Sequence, residues 1–400
     1  MNDFTFIDEE LNTLSQKGLI RELKTVLTAG GPWVELSNGK RVLQFASNNY
    51  LGLGNHPEII NASKNALSKF GTGSTGSRLL SGTTLLHSQL EDELAKFQNT
   101  ESAIFFNSGY TANIGVICSL MDKQDAVYSD ELNHASIIDG IRLSGANKFI
   151  YNHNDVKHLE GLICENKSKY KRSFIVTDTI FSMDGHIAPL QEIGLIAEKY
   201  NCITIVDEAH AIGVFGKDNS GIVNELNLQK YFSLRTGTCS KAMGVEGGFC
   251  VGFENVIKLI KNKARSFMFS TSPSPAVIGA ILKSLELVKD GNWRKEKLWQ
   301  NAKNLHSGLK KNYKLKISEL KTPTVIVHFQ TIEEAMSISN RLLDECHIWA
   351  PAIRPPSVKT PRIRLTPIST HSDDDINYLI KAFDYVAKDI KVEPVIACKL

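Results

Sequence analysis

The segment Thr238-Cys239-Ser240-Lys241-Ala242-Met243-Gly244 places a lysine about 34 residues after the acid of Asp207-Glu208-Ala209-His210. A lysine amine and a carboxylate presented after a strand are the pair that pyridoxal 5'-phosphate requires. The amine bonds the cofactor's aldehyde and the carboxylate faces its ring nitrogen. Taken singly each is ordinary, because a lysine between small residues usually meets solvent and an aspartate after a strand often caps a helix. Ser108-Gly109-Tyr110-Thr111-Ala112-Asn113 follows an apolar run at 103–106 and starts a helical pattern. Its backbone N–H groups and helix dipole suit a phosphate, although a plain strand-to-helix turn with Ser108 as cap reads the same way. Asn133-His134-Ala135-Ser136 stands after another strand-like run. There His134 either stacks on a cofactor ring and hydrogen-bonds a reacting carbonyl, or is structural.

Two local patterns are decoys. Gly71-Thr72-Gly73-Ser74-Thr75-Gly76 fits GxGxxG, but a helix precedes it, whereas a dinucleotide site follows a strand. Asp207-Glu208-Ala209-His210 spells a helicase box, yet the chain has no GxxxxGK[ST] phosphate loop.

Positioning these groups requires strands that end near one another. Short apolar or β-branched runs at 103–106, 126–128, 148–151, 173–177, 202–206, 231–235 and 249–253 alternate with helical stretches, and polar residues gather after their carboxyl ends. That pattern predicts an α/β large domain with a mainly parallel seven-stranded sheet, whose ligand crevice lies outside those ends. His56-Pro57-Glu58 predicts a helix start, with Ile59, Ala62, Ala66 and Phe70 on one face. From about residue 290 a long polar helix, a strand at 324–328, a helix from Ile332 and a strand at 362–365 predict a smaller α+β domain. The expected division is therefore 1–50, a helix and a β-ribbon turning at Ser37-Asn38-Gly39, then 51–290 and 291–400.

Composition narrows the function classes. The net charge of +3 is spread without long blocks, which argues against a nucleic-acid partner. Seven scattered cysteines with no CxxC pair suit reduced thiols, so neither a disulfide nor a zinc site is expected. The opening MNDFTFIDEE is too acidic for a leader, and no apolar run is long enough to span a bilayer. The expected location is cytoplasmic.

The series Asn49-Tyr50-Leu51-Gly52-Leu53, Gly76-Ser77-Arg78-Leu79-Leu80-Ser81-Gly82, Ser108-Gly109-Tyr110, Asn133-His134-Ala135-Ser136, Phe181-Ser182-Met183-Asp184-Gly185, Asp207-Glu208-Ala209-His210, Thr238-Cys239-Ser240-Lys241 and Phe269-Ser270-Thr271-Ser272 resembles the α-oxoamine synthases. These are fold-type I pyridoxal phosphate enzymes that join an amino acid to an acyl thioester with loss of carbon dioxide. The resemblance runs in order over roughly residues 20 to 385. It implies that Lys241 bonds the cofactor and later moves a proton, and that Asp207 keeps the ring nitrogen protonated. By the same resemblance Ser182 and His210 hydrogen-bond the ring oxygen, and His134 covers the ring face. Gly109, Tyr110 and Thr238 bind phosphate, with Thr271 reaching in from the other subunit of a homodimer. Arg364 clamps the amino-acid carboxylate. Arg21, Asn49, Arg354 and Ser357 are the remaining substrate contacts that the resemblance implies.

Ile353-Arg354-Pro355-Pro356 followed by Arg362-Ile363-Arg364 is most similar to the members that act on L-alanine and a pimeloyl thioester, carried by CoA or a carrier protein. Ser357 stands where threonine is usual, and 358–361 is about two residues shorter than in those members. Glycine C-acetyltransferase, 5-aminolevulinate synthase and a non-catalytic paralogue are the alternatives.

Overall fold

The computed structural model describes residues 4–389. Its centre is a seven-stranded sheet, read across as Ser102–Phe106, Gly248–Gly252, Leu234–Thr238, Ile203–Asp207, Arg172–Asp178, Asp125–Asp130 and Asn147–Tyr151. Only Gly248–Gly252 runs antiparallel to its neighbours. The remaining pairings are parallel, as the alternating strand and helix signals require. Alternate residues point to opposite faces. Phe105, Tyr128, Ile175 and Val206 enter one apolar cluster, whereas Ile104, Val127, Phe174 and Ile205 enter another. Both faces are thus buried, which is why these strands read as continuous apolar runs.

One strand is displaced from its expected place. The sequence points to 231–235, but the strand is Leu234–Thr238. Tyr231 and Phe232 instead lie in a turn. Phe232 is fully buried, and the Tyr231 ring packs so closely on Gly194 that a Cβ there would stand 2.7 Å from it. The aromatic pair mimics a strand start, while the true strand ends in the small polar Gly237-Thr238.

The helix at Pro57–Phe70 has His56 as its N-cap and buries Ile59 and Ala66. Gly71–Gly76 follows that helix as irregular backbone. The carboxyl-terminal part has its own cluster, including Leu305, Val325, Ile363 and Leu379, beneath a four-stranded sheet. Leu43 and Phe45 belong to that cluster, and the ribbon Trp33–Glu35/Arg41–Gln44 continues into it by pairing with Ile348–Trp349. His371 pins this junction. Its Nδ1 accepts from Ile368 N, its Nε2 faces Gln44 O at 3.1 Å, and its ring stacks on Phe45. Among the described residues no helix is long and apolar enough to cross a membrane.

Candidate active site

The carboxyl ends of the parallel strands open into a cavity of 570 Å³ that meets the carboxyl-terminal part of the chain. Ser108, Gly109, Tyr110, His134, Ser182, Asp207, His210, Thr238, Lys241 and Ser357, all singled out from the sequence, line it together.

The phosphate-like corner follows from capping. Ser108 Oγ accepts from Thr111 N at 3.1 Å and Thr111 Oγ1 accepts from Ser108 N at 3.0 Å, which starts the helix Gly109–Leu120 abruptly at the strand end. A Cβ on Gly109 would stand 3.2 Å from Thr238 Cβ, and one on Gly248 would lie 2.4 Å from Gly109 N. Glycine at both positions lets the helix start sit against the two strand ends. Tyr110 donates its hydroxyl to Asp139 on the surface, so its backbone N–H is what it offers an anion.

The charged floor is organised around Asp207. Its Oδ2 accepts from Asn113 Nδ2 and its Oδ1 from Ala209 N, both at 2.7 Å. Asn113 is in turn fixed by Thr236 Oγ1 at 2.7 Å and by Ser136 Oγ at 2.9 Å. Lys241 lies half-buried beside this carboxylate. Burial, with a smaller contribution from Arg364, pushes its amine below the usual lysine range, and Asp207 and Asp178 oppose that shift.

Both histidines are anchored through Nδ1. His134 Nδ1 accepts from Ser136 N at 3.3 Å, which leaves the ring proton on Nε2. Burial holds this imidazole below its ordinary pKa, against the pull of Asp207. The hydroxyl of Tyr50 accepts from Arg364 Nη2 at 3.1 Å and lies 2.8 Å from His210 Nδ1. Burial, then Lys241 and Arg364, push His210 well below the usual histidine value.

Arg364 stands behind the cavity rather than on its lining. Nε donates to Ser182 O at 2.6 Å and Nη2 to Asn48 Oδ1 at 3.0 Å and to Tyr50, all neutral acceptors. Arg362 does line the cavity, but its charge is already balanced by Asp184.

Other expectations are placed differently. Asn49 turns away: its Oδ1 caps Gly54 N at 3.1 Å, and Asn48 is the asparagine that reaches the site. Thr271 is exposed, bridges to Ser77 and does not line this cavity. Arg21 donates to Ser357 Oγ at 3.2 Å, and Arg354 donates to Ile20 O at 2.8 Å. These residues line a second cavity of 560 Å³ with Lys24, Met336 and Trp349, and Ser357 lines both cavities. Sequence reasoning passed over Asn48, Tyr50, Asn113, Asp178 and Asp184. Asn113 could have been found, since it lies on the helix turn that follows the Ser108 cap.

The donor set fits pyridoxal phosphate. It combines an N–H cradle too tight for a Cβ, a buried carboxylate with two fixed donors, and a half-buried lysine opening on one cavity.

Residues 40–383 match the family model described as aminotransferase class I and II. The chain belongs to the class I and II aminotransferase family. Within this family it is 43% identical to the putative 8-amino-7-oxononanoate synthase of Thermodesulfovibrio yellowstonii, over 94% of this chain and 96% of the relative. It is 40% identical to the 8-amino-7-oxononanoate synthase of Thermoanaerobacter pseudethanolicus, over 98% and 99%. The serine palmitoyltransferase of S. paucimobilis, solved with a bound PLP–myriocin aldimine, superposes with a TM-score of 0.91 at 29% identity, over 97% and 98%. The family and this neighbour share the fold-type I architecture, the aminotransferase fold of pyridoxal phosphate enzymes, which is the large-domain topology described above.

Proposed function

We propose that this chain is a pyridoxal phosphate-dependent acyltransferase of the cytoplasm that condenses L-alanine with a pimeloyl thioester. The products are 8-amino-7-oxononanoate, carbon dioxide and the free carrier thiol. The observation that carries the reading is the convergence of Lys241, Asp207, His134, His210 and the Ser108-Gly109-Tyr110 turn on one cavity, in a chain about 40% identical to relatives of that name. Lys241 would hold the cofactor covalently, with Gly109 N, Tyr110 N and Thr238 at its phosphate. When bound, the cofactor's ring accepts electrons from the substrate's α-carbon.

The chain's own groups do the rest. Asp207, fixed by Asn113 and Ala209 N, keeps a negative charge at the ring nitrogen. His210 and the Ser182 hydroxyl, both on the cavity lining, would hydrogen-bond the ring oxygen. Arg364 orients the alanine carboxylate, and Lys241 Nζ takes and returns the α-proton. The second cavity suits the acyl donor. It meets the first at Ser357, has apolar walls at Met336 and Trp349, and carries cations at Arg21 and Arg354. A dicarboxylic acyl chain needs that combination; an acetyl group does not.

A panel of pimeloyl, succinyl and acetyl thioesters with alanine or glycine, read by carbon dioxide and thiol release, tests the reading. Alanine with pimeloyl thioester is expected to give the highest kcat/KM. Acetyl thioester with glycine as the best pair would overturn the substrate assignment.

A further inference from the structure

Three adjacent strands end on aspartates: Asp207 closes Ile203–Asp207, Asp178 closes Arg172–Asp178 and Asp130 closes Asp125–Asp130. Asp178 is the middle one, in register with Asp207 on a strand about 4.8 Å away, so both side chains leave the same face of the sheet. All three are buried. Their donors are unequal. Asp130 receives Leu132 N, Asn154 N and His153 Nδ1, at 2.9 to 3.0 Å. Asp207 receives Asn113 Nδ2 and Ala209 N. Among the described residues Asp178 receives only His134 N, on Oδ2 at 2.7 Å.

We propose that Asp178 is a positioning residue held as the neutral carboxylic acid beside the Asp207 carboxylate, clamping the His134 backbone while leaving Asp207 the only anion beneath the cofactor ring. This rests on the proposed function above. Of two carboxyls side by side on one face of a sheet, the one given fewer donors is the one that keeps a proton when both cannot ionise. Asp207 and Lys241 face it, Asp130 adds a weaker field from the opposite face of the sheet, and the His134 N–H is its direct contact. Burial and Asp207 raise its affinity for a proton, against the smaller opposing effects of His134 N and Lys241. The consequence is functional. A second anion here would raise the proton affinity of Lys241 and divide the ring's positive charge between two carboxylates. A neutral acid holds His134 without doing either.

The test compares wild-type and Asp178→Asn holoenzymes at neutral pH. Their infrared difference spectrum should show the loss of a carboxylic-acid C=O band. Loss of a carboxylate pair of bands instead would overturn the proposal. The pH midpoint of the bound cofactor's visible absorbance should move by less than about 0.5 unit, since one neutral group replaces another; a fall of more than about one unit would mean that an anion had been removed. If the variant does not fold, 13C-aspartate labelling of the wild type reads the same acid band, and absence of an isotope-shifted band overturns the proposal. Borohydride labelling of Lys241 in the wild type keeps the two ideas apart. Without that label the cofactor reading fails, whereas with it and no acid band only the role of Asp178 fails.

Discussion

Asp207 is useful only as an anion, and two hydrogen bonds from fixed donors hold its carboxylate in place. Asp207→Asn retains the shape but removes the charge, and activity should fall by more than about 100-fold, roughly 2.7 kcal/mol in barrier. Steady-state kinetics within about tenfold of wild type would contradict the role. Asn113→Ala takes one donor from Asp207 and leaves the rest of the site in place. A loss of about tenfold in kcat is expected, near 1.4 kcal/mol for one charge-assisted hydrogen bond. An unchanged kcat would mean that Ala209 N alone suffices. Lys241, Asp207 and His134 were legible because their side-chain chemistry is distinctive. Tyr50 and Asn48, which hold Arg364 from behind the cavity, were not, because they carry no signal in sequence beyond their polarity. Their partners lie 160 to 316 positions away. Asn49, chosen over Asn48, shows the limit: two adjacent asparagines are indistinguishable until the turn at 49–54 decides which one points inward.

At the scale of elements, His371 joins the amino-terminal ribbon to the carboxyl-terminal core, and burial pushes its pKa down from 6.5 to about 4. His87 is pushed to about 4 likewise, by burial and by Arg78. The unfolded chain therefore binds more protons than the folded one between about pH 6.5 and 4. This contribution to stability is complete above pH 6.5 and is lost as the pH falls through that window, by up to about 1.4 kcal/mol per pH unit for each histidine. Urea unfolding across these pH values should show the slope in wild type and a slope about one proton shallower in His371→Gln. Equal slopes would show that His371 does not carry it. Elements themselves were legible where period and apolarity agree, as in the strand Arg362–Leu365 and the helix starting at Ile332. The strand Leu234–Thr238 was misplaced because its end is small and polar for the sake of the site. Strand propensity pointed instead to aromatics that plug the space below the sheet.

At the scale of the whole molecule, Thr271 lies on the outside of its own chain, held by Ser77 and by Asn107 Nδ2 at 3.0 Å to its carbonyl. If that face completes the phosphate site of a second copy, the working unit is an isologous homodimer. Sedimentation at assay concentration should then show a dimer, and a fully active monomer would refute it. The order of motifs along the chain made the family legible, but how copies meet is written in surface shape rather than in spacing. The central claim is that residues from separate strand ends form one cofactor site whose covalent anchor is Lys241. Borohydride reduction of the holoenzyme followed by peptide mapping tests it most directly. The account predicts the reduced cofactor on Lys241 alone, with Lys241→Ala unlabelled; an adduct on any other lysine, or none, would contradict it.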